Sequence, residues 1–151
     1  MAEATFTIDK DNLEVRITKV FKATPERLWL AYTKPDQVIQ WWDSTIVDTL
    51  DVRTGGIWRF VSGEHGEHSF RGVFTEVDKP RKLARTFEYE PYPGHISQES
   101  VTFEAQADGT TKLTIVSKFD NLDDLEGMIG SGMERGALAN VDRLTKLVEE
   151  G

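Results

Sequence analysis

The stretch Asn121–Glu150, NLDDLEGMIGSGMERGALANVDRLTKLVEE, decides how the rest of the chain is read. Leu122, Leu125, Ile129, Met133, Ala137, Val141, Leu144 and Val148 recur three or four positions apart. That spacing sets apolar side chains along one stripe of an α-helix. Asp123, Glu126, Glu134, Arg135, Arg143, Lys146 and Glu149 fall mostly off the stripe, toward water. Asn121 suits an N-cap, and the acidic residues after it suit the first turn of a helix. Gly127, Gly130, Gly132 and Gly136 weaken the first half. Each costs up to ~1 kcal/mol relative to Ala, so a kinked or broken start and a firm helix from about Met133 are expected. A one-sided helix has to lay its stripe on something, and the β-rich segment before it is the only partner large enough.

From Ser44 to Phe119 the hydrophobic pattern changes to period two. Strands are predicted at Thr45–Val52, Ile57–Ser62, Ser69–Val77, Lys82–Glu90, Glu99–Ala107 and Thr111–Phe119. Short turn-forming links, of which Asp108-Gly109 is the cleanest, make successive strands antiparallel neighbours. Further upstream, Thr5–Ile8 and Leu13–Phe21 read as strands. Thr24-Pro25 opens a helix carrying Leu28, Trp29 and Tyr32, and Lys34-Pro35 ends it and opens a second through Trp41 and Trp42. The predicted order is strand, two short helices, six-strand meander and long helix, which is α+β. A sheet curled around one helix cannot touch it everywhere. The space left over is a cavity, for which Trp29, Trp42, Trp58, Phe60, Phe70, Phe74, Phe87, Tyr89 and Phe103 are the candidate lining.

Composition narrows the function. The 151 residues carry a formal net charge of −8 and no basic run, which argues against nucleic acid and anionic membrane surfaces as partners. With no cysteine there is neither disulfide nor thiol nucleophile. The start has no basic, apolar leader, and no run approaches a membrane span, so a single domain over residues 1–151 and a cytoplasmic location are expected. No phosphate loop, dinucleotide fingerprint or nucleophile elbow occurs, so no cofactor and no catalytic residue is assigned.

Several motifs fall in one order: Ala23-Thr24-Pro25-Glu26-Arg27-Leu28-Trp29 with Trp41-Trp42, then Asp51-Val52-Arg53-Thr54-Gly55-Gly56, then Phe70-Arg71-Gly72-Val73-Phe74 with Pro80 and Leu83, then Gly109-Thr110-Thr111-Lys112-Leu113, and the long helix with Gly132-Met133 and Gly136. From about Val15 onward the chain resembles homologues of the C-terminal domain of the heat-shock-protein-90 ATPase activator. That family belongs to the START-like (SRPBCC, birch-pollen-allergen) superfamily with the helix-grip fold. The resemblance implies this fold and a ligand-sized cavity. Related folds host cyclases, dehydratases and hydrolases, so an enzyme acting on a bound ligand is one alternative. A chaperone cofactor is another, although the co-chaperone carries a further N-terminal domain for which 151 residues leave no room.

The remaining polar residues are weighed one by one. Arg85 alternates with Leu83, Phe87 and Tyr89, so it points inward with them, where it would hold a carboxylate-bearing ligand or pair with a strand neighbour such as Glu104. Ser117, between Ile115 and Phe119, adds a hydroxyl to the same surface. Met128 and Met133 suit a variable ligand or plain core filling. Trp42, more than Trp41, is expected to meet the cavity. Asp51 and Arg53 read as a structural ion pair beside a Gly-Gly turn. His65, His68 and their flanking Glu64 and Glu67 sit in a glycine-broken loop, so no metal is assigned to them; His95 also sits in a loop. An enzyme would need Tyr89, Arg85, Glu76 or His95 inside the cavity. The preferred partner is a small hydrophobic or amphipathic molecule, held under the glycine-rich Gly127–Gly136 segment and the Pro91–His95 loop. An uncovered sheet edge is a route to a homodimer across a two-fold axis.

Overall fold

Among the described residues, alternating side chains and tight turns build eight strands, β1 (Thr5–Asp9), β2 (Glu14–Phe21), β3 (Ile46–Leu50), β4 (Ile57–Ser62), β5 (His68–Asp78), β6 (Lys82–Tyr89), β7 (Ile96–Ala105) and β8 (Thr111–Lys118). Helices α1 (Pro25–Thr33) and α2 (Pro35–Trp41) lie between β2 and β3, and α3 (Leu122–Gly130) and α4 (Met133–Glu150) close the chain. This is a computed structural model that describes residues 3–42, 46–63 and 65–150. The predicted start of the third strand at Thr45, and Glu64, lie outside the described residues.

All strand pairs are antiparallel, in the order β1-β2-β8-β7-β6-β5-β4-β3. The six-strand meander runs from β3 to β8, and β2 then docks on β8. Irregularities between Val47 and Thr49 in β3 and between Phe74 and Glu76 in β5 interrupt the register, and such bulges bend their strands. Most strands differ from the sequence reading by one to three residues at one or both ends. Asp51 and Val52 leave β3 for the turn, β5 begins one residue early at His68, and β7 begins at Ile96 instead of Glu99.

The cover consists of two helices. Thr24 caps α1 by accepting from the Arg27 amide at 3.1 Å, and Asn121 caps α3 by accepting from the Asp124 amide at 2.8 Å. The Ser131 amide closes α3 on the Gly127 carbonyl, and Gly132 turns the chain with φ +88°, a left-handed conformation open to glycine. The apolar stripe is therefore shared. Leu125, with Met128, Ile129 and Met133 around it, packs on Val15 and Phe119, whereas Val141, Leu144 and Val148 enter the main core with Ile17, Phe21, Leu28 and Trp29. Leu122, placed on the stripe by spacing, is instead exposed, since it stands in the first turn beyond the sheet. Among the described residues, no helix is long and apolar enough to cross a membrane.

One contact in the sheet sets how closely two strands meet. Trp58 of β4 stands opposite Gly72 of β5, and its indole donates across it to the Thr86 carbonyl of β6 at 3.1 Å. A Cβ at Gly72 would run into that carbonyl and the indole nitrogen. We expect Gly72→Ala to lower stability by about 1–3 kcal/mol, the usual cost of overpacking. A urea melt followed by tryptophan fluorescence checks this, and an unchanged midpoint would contradict the packing described.

Candidate functional site

The inner face of the sheet divides into a filled end and a hollow end. At the filled end α1 presses on β7, and Trp29 and Tyr32 each meet the Phe103 ring edge-on at 5.6 Å. Phe21, Leu28, Leu83, Val101 and Leu113 complete a buried core there. At the other end the second half of β6 and the first half of β7 run out under α3 and the first turns of α4. A recess of about 1080 Å³ opens between them.

Of the twelve residues singled out from the sequence, seven line this recess: Trp42, Phe70, Arg85, Phe87, Tyr89, Met128 and Met133. Five do not. Trp29 and Phe103 fill the closed end against each other. Trp58 and Phe60 form a layer beneath the lining, ring to ring at 5.0 Å, and Phe74 is buried directly opposite Arg85. Alternation assigns these side chains to the correct face. It carries no information on how far along a strand the packing helices reach, and that decides which rings stay in contact with open space.

The aromatic wall is continuous. Trp42 meets Phe60 at 5.3 Å, Phe70 at 5.8 Å and Phe87 at 6.2 Å, and Phe70 meets Phe87 and Tyr89 at 5.3 Å each. Trp42 has left the helix, with extended backbone at φ −83° and ψ 122°, so it turns its ring inward just after Trp41. Trp41 also borders the recess and is anchored by its indole donating to the Ala31 carbonyl at 2.8 Å.

Polar groups gather on the floor. Register sets Arg85 of β6 opposite Glu99 of β7, and Glu99 opposite Ser117 of β8, all on the inner face. The Arg85 Nε donates to Glu99 Oε1 at 2.7 Å, and the guanidinium lies over the Trp58 ring at 4.3 Å. Arg85 thus pairs with Glu99 and not with Glu104, which faces outward opposite Lys112 because it lies an odd number of residues from Glu99. Tyr32 borders the same space. Burial pushes its phenol above the ordinary tyrosine range; the Glu99 carboxylate adds to the shift and Arg85 opposes it, so the hydroxyl stays neutral. Sequence reasoning missed Glu99 and Tyr32 as site residues. The signals were present: Glu99 alternates with Val101 and Phe103, and Tyr32 follows Leu28 by four on the buried face of α1.

The rim is pinned by hydrogen bonds. His95 Nδ1 lies 2.6 Å from Asp124 Oδ1 of α3, with the Tyr92 ring stacked on the imidazole at 4.0 Å. His68 Nδ1 lies 2.7 Å from the Tyr89 hydroxyl. Among the described residues, no group of three or more His, Asp or Glu side chains could hold a metal ion. Asp51 and Arg53 form an exposed ion pair of 2.8 Å away from the recess, and Glu76 pairs with Lys82 at 3.1 Å on the outer face, so neither acid is placed to act on a bound molecule.

A curved antiparallel sheet closed by a C-terminal helix, with two short helices after β2, defines the helix-grip class of α+β domains. Within that class the chain belongs to the Activator of Hsp90 ATPase homolog 1-like protein family, whose model matches residues 22–149. Among solved structures it is similar to protein Ms6760 from Mycobacterium smegmatis, at 25% identity and a TM-score of 0.87 over 96% of each chain. A protein from Arthrobacter aurescens is 21% identical with a TM-score of 0.87, over 97% of this chain and 92% of that one. An HSP90 activator from Plasmodium falciparum is 22% identical with a TM-score of 0.61, over 71% and 73%. No curated protein is similar enough to match.

The loop between β6 and β7 hangs on one carboxylate. Glu88 accepts from the Gly94 amide at 2.8 Å and from Arg71 Nε at 2.9 Å. The Gly94 amide, followed by Arg71, holds its pKa below the ordinary carboxylate range. A depressed pKa stabilises the fold above that range, and the contribution is lost as pH falls through the folded value. The Gly94 amide proton should shift in NMR spectra as Glu88 protonates at acid pH, and in Glu88→Gln it should stay flat. The variant should lose about 1.5 kcal/mol, the low end for bonds to a charged group, since Arg71 is half exposed. A Gly94 resonance that ignores pH would contradict this anchor.

Proposed function

We propose that the chain binds a small apolar or amphipathic molecule in the recess between the sheet and the α3–α4 cover. One observation carries the reading: a hollow of about 1080 Å³ joins an unbroken aromatic wall to a small group of converging polar side chains. Small-molecule sites are commonly concavities of roughly 300–1,000 Å³ with that division of labour. Burial of ligand carbon against Trp42, Phe70, Phe87 and the two methionines supplies the driving force, and the polar floor fixes orientation. The break at Gly132 and the latch between His95 and Asp124 sit where a ligand would pass. The methionines at the helix break suit ligands of varied outline.

The test is a thermal-shift and NMR screen of aromatic and lipid-like compounds. A ligand at a hundred times its Kd adds about 2.7 kcal/mol. For a chain of this size that is a rise in Tm of roughly 5–10 °C. Chemical-shift changes should cluster on Phe70, Phe87, Met128 and Met133. A Cβ at Gly136 meets nothing within 4 Å, so Gly136→Phe can start its side chain without a clash, should fold normally and should obstruct the recess. It should weaken binding by about tenfold or more, equivalent to 1.4 kcal/mol. A broad panel with neither a thermal shift nor a chemical-shift change would dispose of the receptor reading.

A further inference from the structure

The charge on the floor of the recess is already balanced. Arg85 is 3% exposed, and its Nε is taken by Glu99. Among the described residues, no group accepts from the two terminal guanidinium nitrogens, and no side-chain nitrogen is fully buried without a partner. The terminal nitrogens therefore border the open space of the recess, packed between the Trp58 ring at 4.3 Å and the Trp42 ring at 5.8 Å. Glu99, Tyr32 and Ser117 line the same space, and one Glu99 oxygen is not engaged by Arg85 Nε. At the mouth His95 hydrogen-bonds Asp124, and Asp123 and Arg143 line the same space.

An incoming carboxylate would meet unused N–H donors and, one residue across the sheet, a carboxylate already bound to the same guanidinium. Two like charges sharing one partner in a water-poor site disfavour each other strongly. An uncharged oxygen meets no such opposition. A ketone, phenol or alcohol can accept from the Arg85 terminal nitrogens, and a hydroxyl can also donate to Glu99. Because the phenol of Tyr32 is neutral, it can donate or accept as the ligand requires.

We propose that Arg85 and Glu99 together form a subsite for an uncharged oxygen function, a carbonyl or hydroxyl borne on an apolar ring body, and that the same pair excludes carboxylates. This rests on the receptor reading above and narrows it to a chemical class. Arg85 acts as a donor whose charge has been cancelled in advance, and Glu99 is the residue that sets the preference.

The test uses four probes of one ring body: naphthalene, 2-naphthol, 2-acetylnaphthalene and 2-naphthoate, titrated by protein-observed NMR. In the wild type the two neutral oxygen compounds should bind at least about tenfold tighter than either naphthalene or naphthoate, the yield of one hydrogen bond to a charged donor. In Glu99→Gln naphthoate should gain about tenfold and draw level with them, since the cation is left unbalanced. The double variant Arg85→Leu with Glu99→Leu removes both charges together, and in it naphthol should lose its advantage over naphthalene. That variant also serves if Glu99→Gln does not fold. Wild-type preference for naphthoate, or naphthol no better than naphthalene, overturns the subsite and leaves the receptor reading standing. Failure of all four probes to bind the wild type overturns both.

Discussion

A guanidinium that is almost wholly buried has to be neutralised, and in this chain the cross-strand register does it. Arg85 and Glu99 are direct partners of β6 and β7, so once the meander has its alignment the carboxylate is delivered to the cation without any loop being recruited. Shifting that alignment by one residue would turn Glu99 to the outer face and leave the cation unpaired. The pair therefore reports on the register of the sheet's centre, and the geometry of the recess follows from it: Phe74 on one side, Ser117 and Val15 on the other, in a single row across five strands.

The second constraint is the interruption of the terminal helix. A continuous helix over Asn121–Glu150 would carry its stripe straight, and its first turns would leave the sheet. The turn at Gly132 lets α3 lay Leu125 on Val15 and Phe119 while α4 keeps Val141, Leu144 and Val148 in the main core. Two separate cores are joined by a short bridge of backbone, and the hollow lies under the bridge. Solid packing at the other end depends on α1, whose Trp29 and Tyr32 close over Phe103.

Element order, strand alternation and the break near Met133 were all legible in the sequence, because each is encoded by spacing within a dozen residues. The helix-grip class follows from that order together with the family resemblance. The candidate site was half legible. Alternation put Arg85, Phe87 and Tyr89 on one face, and they line the recess, but it equally put Phe60 and Phe74 there, and they lie beneath the lining. Which strand end stays hollow depends on where α1 and α2 land, a long-range fact with no local signal. The same reason explains Glu104 as the expected partner of Arg85: both lie on neighbouring strands, and only the register selects Glu99. Ile96 to Gln98 escaped assignment to β7 because two of the three are polar and a proline-glycine loop precedes them.

The docking of β2 on β8 has one more result, which concerns how the chain is made. Val15 finds its neighbour at Ser117, about a hundred positions later. Pairing of that span cannot begin while the polypeptide is still short, and non-local pairings of this kind are slow to form. During synthesis the β1–β2 hairpin has to wait, with Val15 and Ile17 unsheltered, until β8 has been made. A helper that shields apolar strands would be most needed in that interval.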